Sequence, residues 1–191
     1  LLFLPTAHAV PYIAVLADAN CSHCHVNPTG GGMRNSHGAM LMSEFSLKRN
    51  AGFFDNDYRG RISKYFGMGG DIQLQHLSTI EPPRSNSFTV PEGTLYVSAD
   101  PFSYLTLYTD TDLATVTSRE AYGLIHNLPG KSWIKFGRLN LPYGLRLQDD
   151  SSFIRGDLGL TFQLQVIGIE LGAEPGPFTV AGAFINGVGS G

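Results

Sequence analysis

The sequence predicts a mainly β, antiparallel protein preceded by a small helix-and-loop segment. Three observations carry that expectation. From about Lys64 onward, apolar and polar residues alternate with a period of two, as they do in strands with one apolar and one polar face. Turn sequences such as Asp100-Pro101, Leu128-Pro129-Gly130-Lys131 and Glu174-Pro175-Gly176-Pro177 punctuate the runs, which makes a meander of hairpins. Composition agrees: 23 Gly and 20 Tyr plus Phe in 191 residues, with 15% charged, suit frequent turns and amphipathic rings better than a helical enzyme. A formal net charge of -3 leaves no basic footprint, so no nucleic-acid partner is expected.

The first stretch is different in kind. Leu1-Leu2-Phe3-Leu4 runs into Ala7-His8-Ala9, a small-x-small cleavage pattern, so residues 1–9 read as the end of a signal peptide. A short buried segment is the other reading. A second small-x-small site, Ala17-Asp18-Ala19, would leave a single residue before Cys21. No run of 18 or more apolar residues appears, so no transmembrane helix is expected.

Residues 10–48 form the next unit, centred on Cys21-Ser22-His23-Cys24-His25, where both cysteines of the chain lie. C-x-x-C-H is the attachment signature of a c-type haem. Thiols three positions apart on one turn each form a thioether to one vinyl group of a single haem, and the following imidazole ligates the iron from below. Cys21 and Cys24 are therefore the cofactor-binding candidates and His25 the proximal iron ligand. The rival readings are a zinc site, a thioredoxin-like redox pair and a plain disulfide. Zinc needs a second ligand pair that the spacing lacks, the redox pair needs a βαβ context that is missing, and the disulfide would close a tiny loop. Export fits the haem reading, since bacteria attach haem outside the cytoplasm.

After the motif, Asn27-Pro28-Thr29-Gly30-Gly31-Gly32 ends any helix and allows close backbone approach, either to a haem edge or as an ordinary turn. Met33, His37, Met40 and Met42 are within reach of the iron, with Met33, His37 or Met40 the candidate sixth ligand. A five-coordinate iron stays open, and His23, between the two cysteines, is a poor candidate. Met40, Leu41, Phe45 and Leu47 predict one short amphipathic helix over residues 39–48. Residues 49–66, polar and turn-rich, read as a linker.

Residues 67–191 carry the strands. Ile72 and Leu74 alternate with Gln73 and Gln75; Leu95, Val97 and Ala99 with Thr94, Tyr96, Ser98 and Asp100; Leu105 and Leu107 with Tyr104, Thr106 and Tyr108. The pattern returns over residues 158–166, slips near Val166-Ile167, and continues through Ile167, Ile169, Leu171 and again Phe178, Val180, Gly182, Phe184. Two architectures satisfy it. In a soluble sandwich the apolar faces meet in a core. In a partial antiparallel transmembrane β-barrel they face lipid, and the polar face lines a wet lumen. Tyr96, Phe102, Tyr104, Tyr108, Tyr122 and Trp133 are candidate interface girdles in the second case.

Two stretches carry a resemblance. Residues 21–35, CSHCHVNPTGGGMRN, resemble the N-terminal haem segment of cytochrome-bearing outer-membrane proteins of Gram-negative bacteria. Residues 137–146, GRLNLPYGLR, resemble a strand-and-loop segment of phosphate-selective-type and related porins. The resemblance implies an antiparallel transmembrane barrel with a haem-carrying N-terminal segment. It also implies haem-site roles for Cys21, Cys24 and His25. Six or seven strands fall short of the even count of at least eight for a single-chain barrel, so a fragment is expected.

The expected function is an outer-membrane porin-like protein with one covalent haem c, transferring electrons at the cell envelope. Membrane lipid and other periplasmic or outer-membrane cytochromes would be its partners, with the haem segment periplasmic or in the lumen. A passive solute or anion channel with a structural or sensory haem is the first alternative, and a soluble secreted β-domain with a cytochrome appendage the second. Arg138 and Arg146, with Asp149, Asp150 and Arg155, read as an anion-selecting constriction or a solvated loop. His76 and His126 fall in strand patterns, and a lumen-facing His76 would approach the haem. No Ser-His-Asp set, carboxylate pair or phosphate loop points to an enzyme.

Overall fold

The computed structural model describes residues 14, 18–46, 60–79, 85–114, 116–143, 165–176 and 178–187. Expectations for residues 1–9, for 158–164, and for Arg146, Asp149, Asp150 and Arg155 lie outside them. Among the described residues the chain is mainly β. Seven strands form one open antiparallel sheet in sequence order: β1 (Phe66–Thr79), β2 (Ser85–Phe102), β3 (Leu105–Asp112), β4 (Thr117–Leu128), β5 (Ser132–Leu139), β6 (Val166–Ala173) and β7 (Val180–Ile185). Two helices precede it, α1 (Cys21–Cys24) and α2 (Ser36–Ser46). α2 begins earlier than the apolar spacing suggests, at the residue after Asn35, whose side chain accepts the Gly38 N–H as a helix cap.

Register puts like with like. Ser98 faces Tyr108, which faces Tyr122, while Val97 faces Thr109 and Ala99 faces Leu107. Farther along, Lys135 stands opposite Glu170, and Phe136 opposite Ile169, which faces Phe184. Each row therefore continues one face across several strands.

The two faces are the reverse of a soluble sheet. The face with Thr94, Tyr96, Ser98, Thr106, Tyr108, Asp110, Glu120, Tyr122, Trp133, Lys135 and Glu170 is buried. The apolar face is open: Leu107, Phe136, Ile169 and Phe184 are exposed, Phe184 to 75%. The slip at Val166-Ile167 belongs to the same division. Val166 is buried on the inner face opposite Leu139, and Ile167, Ile169 and Leu171 point outward.

What covers the inner face is the N-terminal segment. Met33, 4% exposed, shares one core with Tyr96, Tyr108, Tyr122, Leu124 and Trp133, and Val26 packs against it. The described part of the N-terminal segment, through Ser22, Val26, Asn27 and Met33, is thus packed on the sheet. Nor are residues 60–65 a free connection. The Ile62 and Ser63 N–H groups donate to the Phe66 carbonyl, and Met68 N–H donates back to Gly60. Arg61 pairs with Asp100 at 2.6 Å on β2.

Parity along the strands corrects one expectation, the aromatic girdle, and decides two alternatives, at Arg138 and His76. Tyr96, Tyr108, Tyr122 and Trp133 are not girdle residues: they share the phase of Thr94, Ser98 and Lys135 and are buried inside, 3–6% exposed. Phe102 and Tyr104 alone fit the girdle position, stacked on each other at the exposed β2–β3 turn with centroids 5.5 Å apart. Arg138 does not line the inner face. It has the phase of Ile134 and Phe136, is exposed, and donates to Gln165 at 3.4 Å. His76 sits where only β1 and β2 pair, exposed and packed on Phe88. His126, by contrast, is half-buried within 3.1 Å of the Thr106 hydroxyl.

Candidate haem attachment site

α1 is one turn long and holds both cysteines, with His25 as its C-cap. The His25 N–H donates to the Cys21 carbonyl at 2.9 Å, so the backbone is still closed at the histidine before it turns extended, with φ -117° and ψ 150°. Neither cysteine is in a disulfide, and both are half-buried. Among the described residues, no group of three or more His, Cys, Asp or Glu side chains converges on a point, which leaves the zinc reading without a ligand set.

The chain then doubles back. His25 bridges Arg34 antiparallel, and Val26 N–H donates to the Met33 carbonyl. Residues 27–32 form the loop of this small hairpin. Gly30 and Gly32 have φ of +86° and +62°, which L side chains rarely adopt, and both also lack room. A Cβ on Gly30 would stand 3.2 Å from the Cys21 sulfur, and one on Gly32 would stand 2.5 Å from the Tyr108 hydroxyl. The glycine run is therefore a close-approach loop that lies on Cys21 at one end and on the sheet at the other.

Three polar contacts dock the segment. Asn27, 2% exposed, accepts at Oδ1 from the Thr29 N–H and hydroxyl and from Lys135 Nζ at 3.3 Å. Lys135 in turn pairs with Glu170 at 2.7 Å, both side chains fully buried, and Glu170 also accepts from the Trp133 indole. Tyr108 accepts the Met33 N–H through its hydroxyl. At the end of β6, Ser22 donates to Glu174 at 2.7 Å. That last bond fixes the cysteine turn itself beside the end of the sheet where the short turns lie.

The candidate sixth ligands are held in different ways. Met33 is spent in the core, its terminal methyl against Gly67 of β1. His37 and Met40 are exposed on α2, as is His23 on α1. Met42 falls in α2, and its side chain lies outside the described residues.

Two cysteine thiols outside any disulfide and an imidazole on one turn are the donor set that covalent haem takes up, two thioethers and an axial nitrogen, so the residues present fit the group. The docking residues Asn27, Lys135, Glu170 and Tyr108 were not singled out in the sequence for this role. Their signal was present as phase: Tyr108, Lys135 and Glu170 all fall on the polar side of their strands.

Comparison with known proteins finds no match: no family model, no curated protein and no solved structure matches the chain.

Proposed function

We propose that this chain is the haem-bearing part of an outer-membrane porin-like β-barrel that transfers electrons at the cell envelope. One observation carries the reading: the sheet exposes its apolar face and buries its polar one under the C-x-x-C-H segment. Strands that are apolar outside and polar inside are what a barrel in lipid needs. The connections support it. β2 to β3, β4 to β5 and β6 to β7 are joined by residues 103–104, 129–131 and 174–179 at one end; at the other, β3 to β4 takes residues 113–116 and β5 to β6 the much longer 140–165. Short turns on the periplasmic side and longer loops outside are the rule for such barrels. Ser22 bonds Glu174 at the short-turn end, so in this reading the haem turn faces the periplasm.

Cys21 and Cys24 hold the haem covalently and His25 supplies the proximal ligand. When bound, the group supplies one-electron chemistry by cycling its iron between ferric and ferrous forms. The chain's own part is to fix the turn. Asn27 on Lys135, Ser22 on Glu174 and Met33 in the aromatic cluster together prevent it from drifting off the sheet. One haem at one mouth does not span a hydrocarbon core of about 30 Å, so other cytochromes complete the path. The passive-channel alternative requires this docked segment to leave the inner face.

The test is a haem stain on a denaturing gel, using protein matured in a haem-attaching, export-competent host. Covalent haem is expected in the wild type and absent from Cys21→Ser/Cys24→Ser. The protein should need detergent for extraction. An unstained wild-type band with two free thiols would overturn the haem half of the proposal, and extraction by buffer alone the membrane half.

A further inference from the structure

Asn35 ties the haem motif to the helix that follows it. Its backbone N–H donates to the Cys24 carbonyl at 3.0 Å. Its side-chain Nδ2 donates to the Ser22 carbonyl at 3.1 Å and to the His25 carbonyl at 3.4 Å. Its Oδ1 accepts from Gly38 N–H at 2.9 Å. Chemistry settles which amide atom is which. A backbone N–H only donates, so the atom facing Gly38 is oxygen, and carbonyls only accept, so the other is nitrogen.

These bonds answer a problem specific to this turn. A four-residue helix has no following turn to bond its last carbonyls. Asn35 reaches back and satisfies three of them in a row of four residues, Ser22, Cys24 and His25. Gly38 completes the clamp by close packing: a Cβ there would overlap the Cys24 carbonyl, so only glycine lets α2 seat against the motif.

On the haem reading above, we infer that Asn35 is a positioning residue for the axial ligand His25. It holds the Ser22–His23 and Cys24–His25 peptide groups and the carbonyl of His25 itself. The backbone from which the imidazole projects is then set by the fold and not by the iron bond alone, although Asn35 makes no bond to the ring itself.

Two variants separate this role from simple helix capping. Asn35→Asp keeps an acceptor for the Gly38 N–H but sets a carboxylate oxygen against the two carbonyls. Asn35→Ser also keeps a capping oxygen and removes the amide donor. Full-length protein is matured in the haem-attaching host, extracted and reduced. The ratio of His25-bound to His25-free iron is then read from its spin-state bands, with helix content measured alongside. The expected result is a shift of roughly tenfold toward the free form in both variants, at unchanged helix content. An unchanged ratio in a folded variant overturns the inference while leaving the haem reading intact. Should Asn35→Asp fail to fold, Asn35→Ser decides by the same ratio. A wild type without haem overturns both, and it is scored first.

Discussion

The two faces of the sheet are built from the same strands and obey opposite rules. Inside, Lys135 and Glu170 are fully buried as an ion pair, Glu120 accepts the Asn140 N–H at 2.9 Å, and Asp110 accepts the Glu120 N–H at 2.5 Å. Asp100 accepts from the Thr106 hydroxyl, which also meets His126. Outside, one residue away along each strand, Leu107, Phe136, Ile169 and Phe184 are exposed, with no layer of protein over them among the described residues. Burying polar groups is costly unless they bond one another, and these do; the buried Thr94 hydroxyl on the same face makes no hydrogen bond among the described residues. Leaving so many apolar side chains open is unusual for a surface in water. The pair of faces therefore points to the solvent: polarity follows what each face meets, and the buried face is polar because the N-terminal segment brings polar partners to it.

That contrast can be broken from either side. The largest effect is expected at the centre of the inner face. Lys135→Ala leaves the Glu170 charge buried without its ion-pair partner and should cost about 3–5 kcal/mol in equilibrium unfolding. Removing both charges, in Lys135→Met with Glu170→Leu, should recover most of that. A cost well under 1 kcal/mol for the single change would mean that water reaches this face. On the outer face, Ile169→Arg distinguishes lipid from water. In a bilayer it should destabilise folding by about 2–4 kcal/mol, against about 0.5 kcal/mol or less on a wet surface. Folding titrations into lipid vesicles would read the difference, and the small value would sink the membrane assignment. The smallest effect is expected where the segment touches the sheet. Gly32→Ala places a Cβ against the Tyr108 hydroxyl at a φ suited to glycine, costing about 1–3 kcal/mol. Limited proteolysis should then cut between residues 26 and 35 sooner while the strands stay protected. Equal cleavage rates would show that the loop is not held by this contact.

Much of the fold was legible in the alternation. The phases of β2, β3 and β6, and even the slip at Val166, appear in the structure as two consistent faces. β1 was legible only over residues 72–75, because Gly67, Gly69 and Gly70 at its start carry no hydropathy signal. β4 and β5 were harder to read. Arg119, Glu120 and Lys135 look like loop charges until the inner face is known to be polar and buried. The same inversion explains the aromatic residues. Tyr and Trp near strand patterns suggest a membrane girdle, yet their phase, not their type, placed Tyr96, Tyr108, Tyr122 and Trp133 inside.

At the candidate site the balance is similar. The residues Cys21, Cys24 and His25 follow from their spacing, since two thiols and an imidazole on one turn are local chemistry that needs no fold to be recognised. The glycine loop read equally as a close approach to a haem edge or as an ordinary turn, and only the packing lays it on Cys21 and Tyr108.

The sequence by itself determined the period, the turns at Leu128-Lys131 and Glu174-Pro177 and the C-x-x-C-H spacing, because each depends on residues within a few positions of one another. The turn expected at Asp100-Pro101 falls inside β2, two residues before the observed one. Only the tertiary structure decided which face is covered, that Asn27 meets Lys135 across 108 positions, and that Ser22 meets Glu174 across 152. Such contacts depend on how the sheet and the segment pack, and a linear pattern of polarity holds no record of what will come to lie against it.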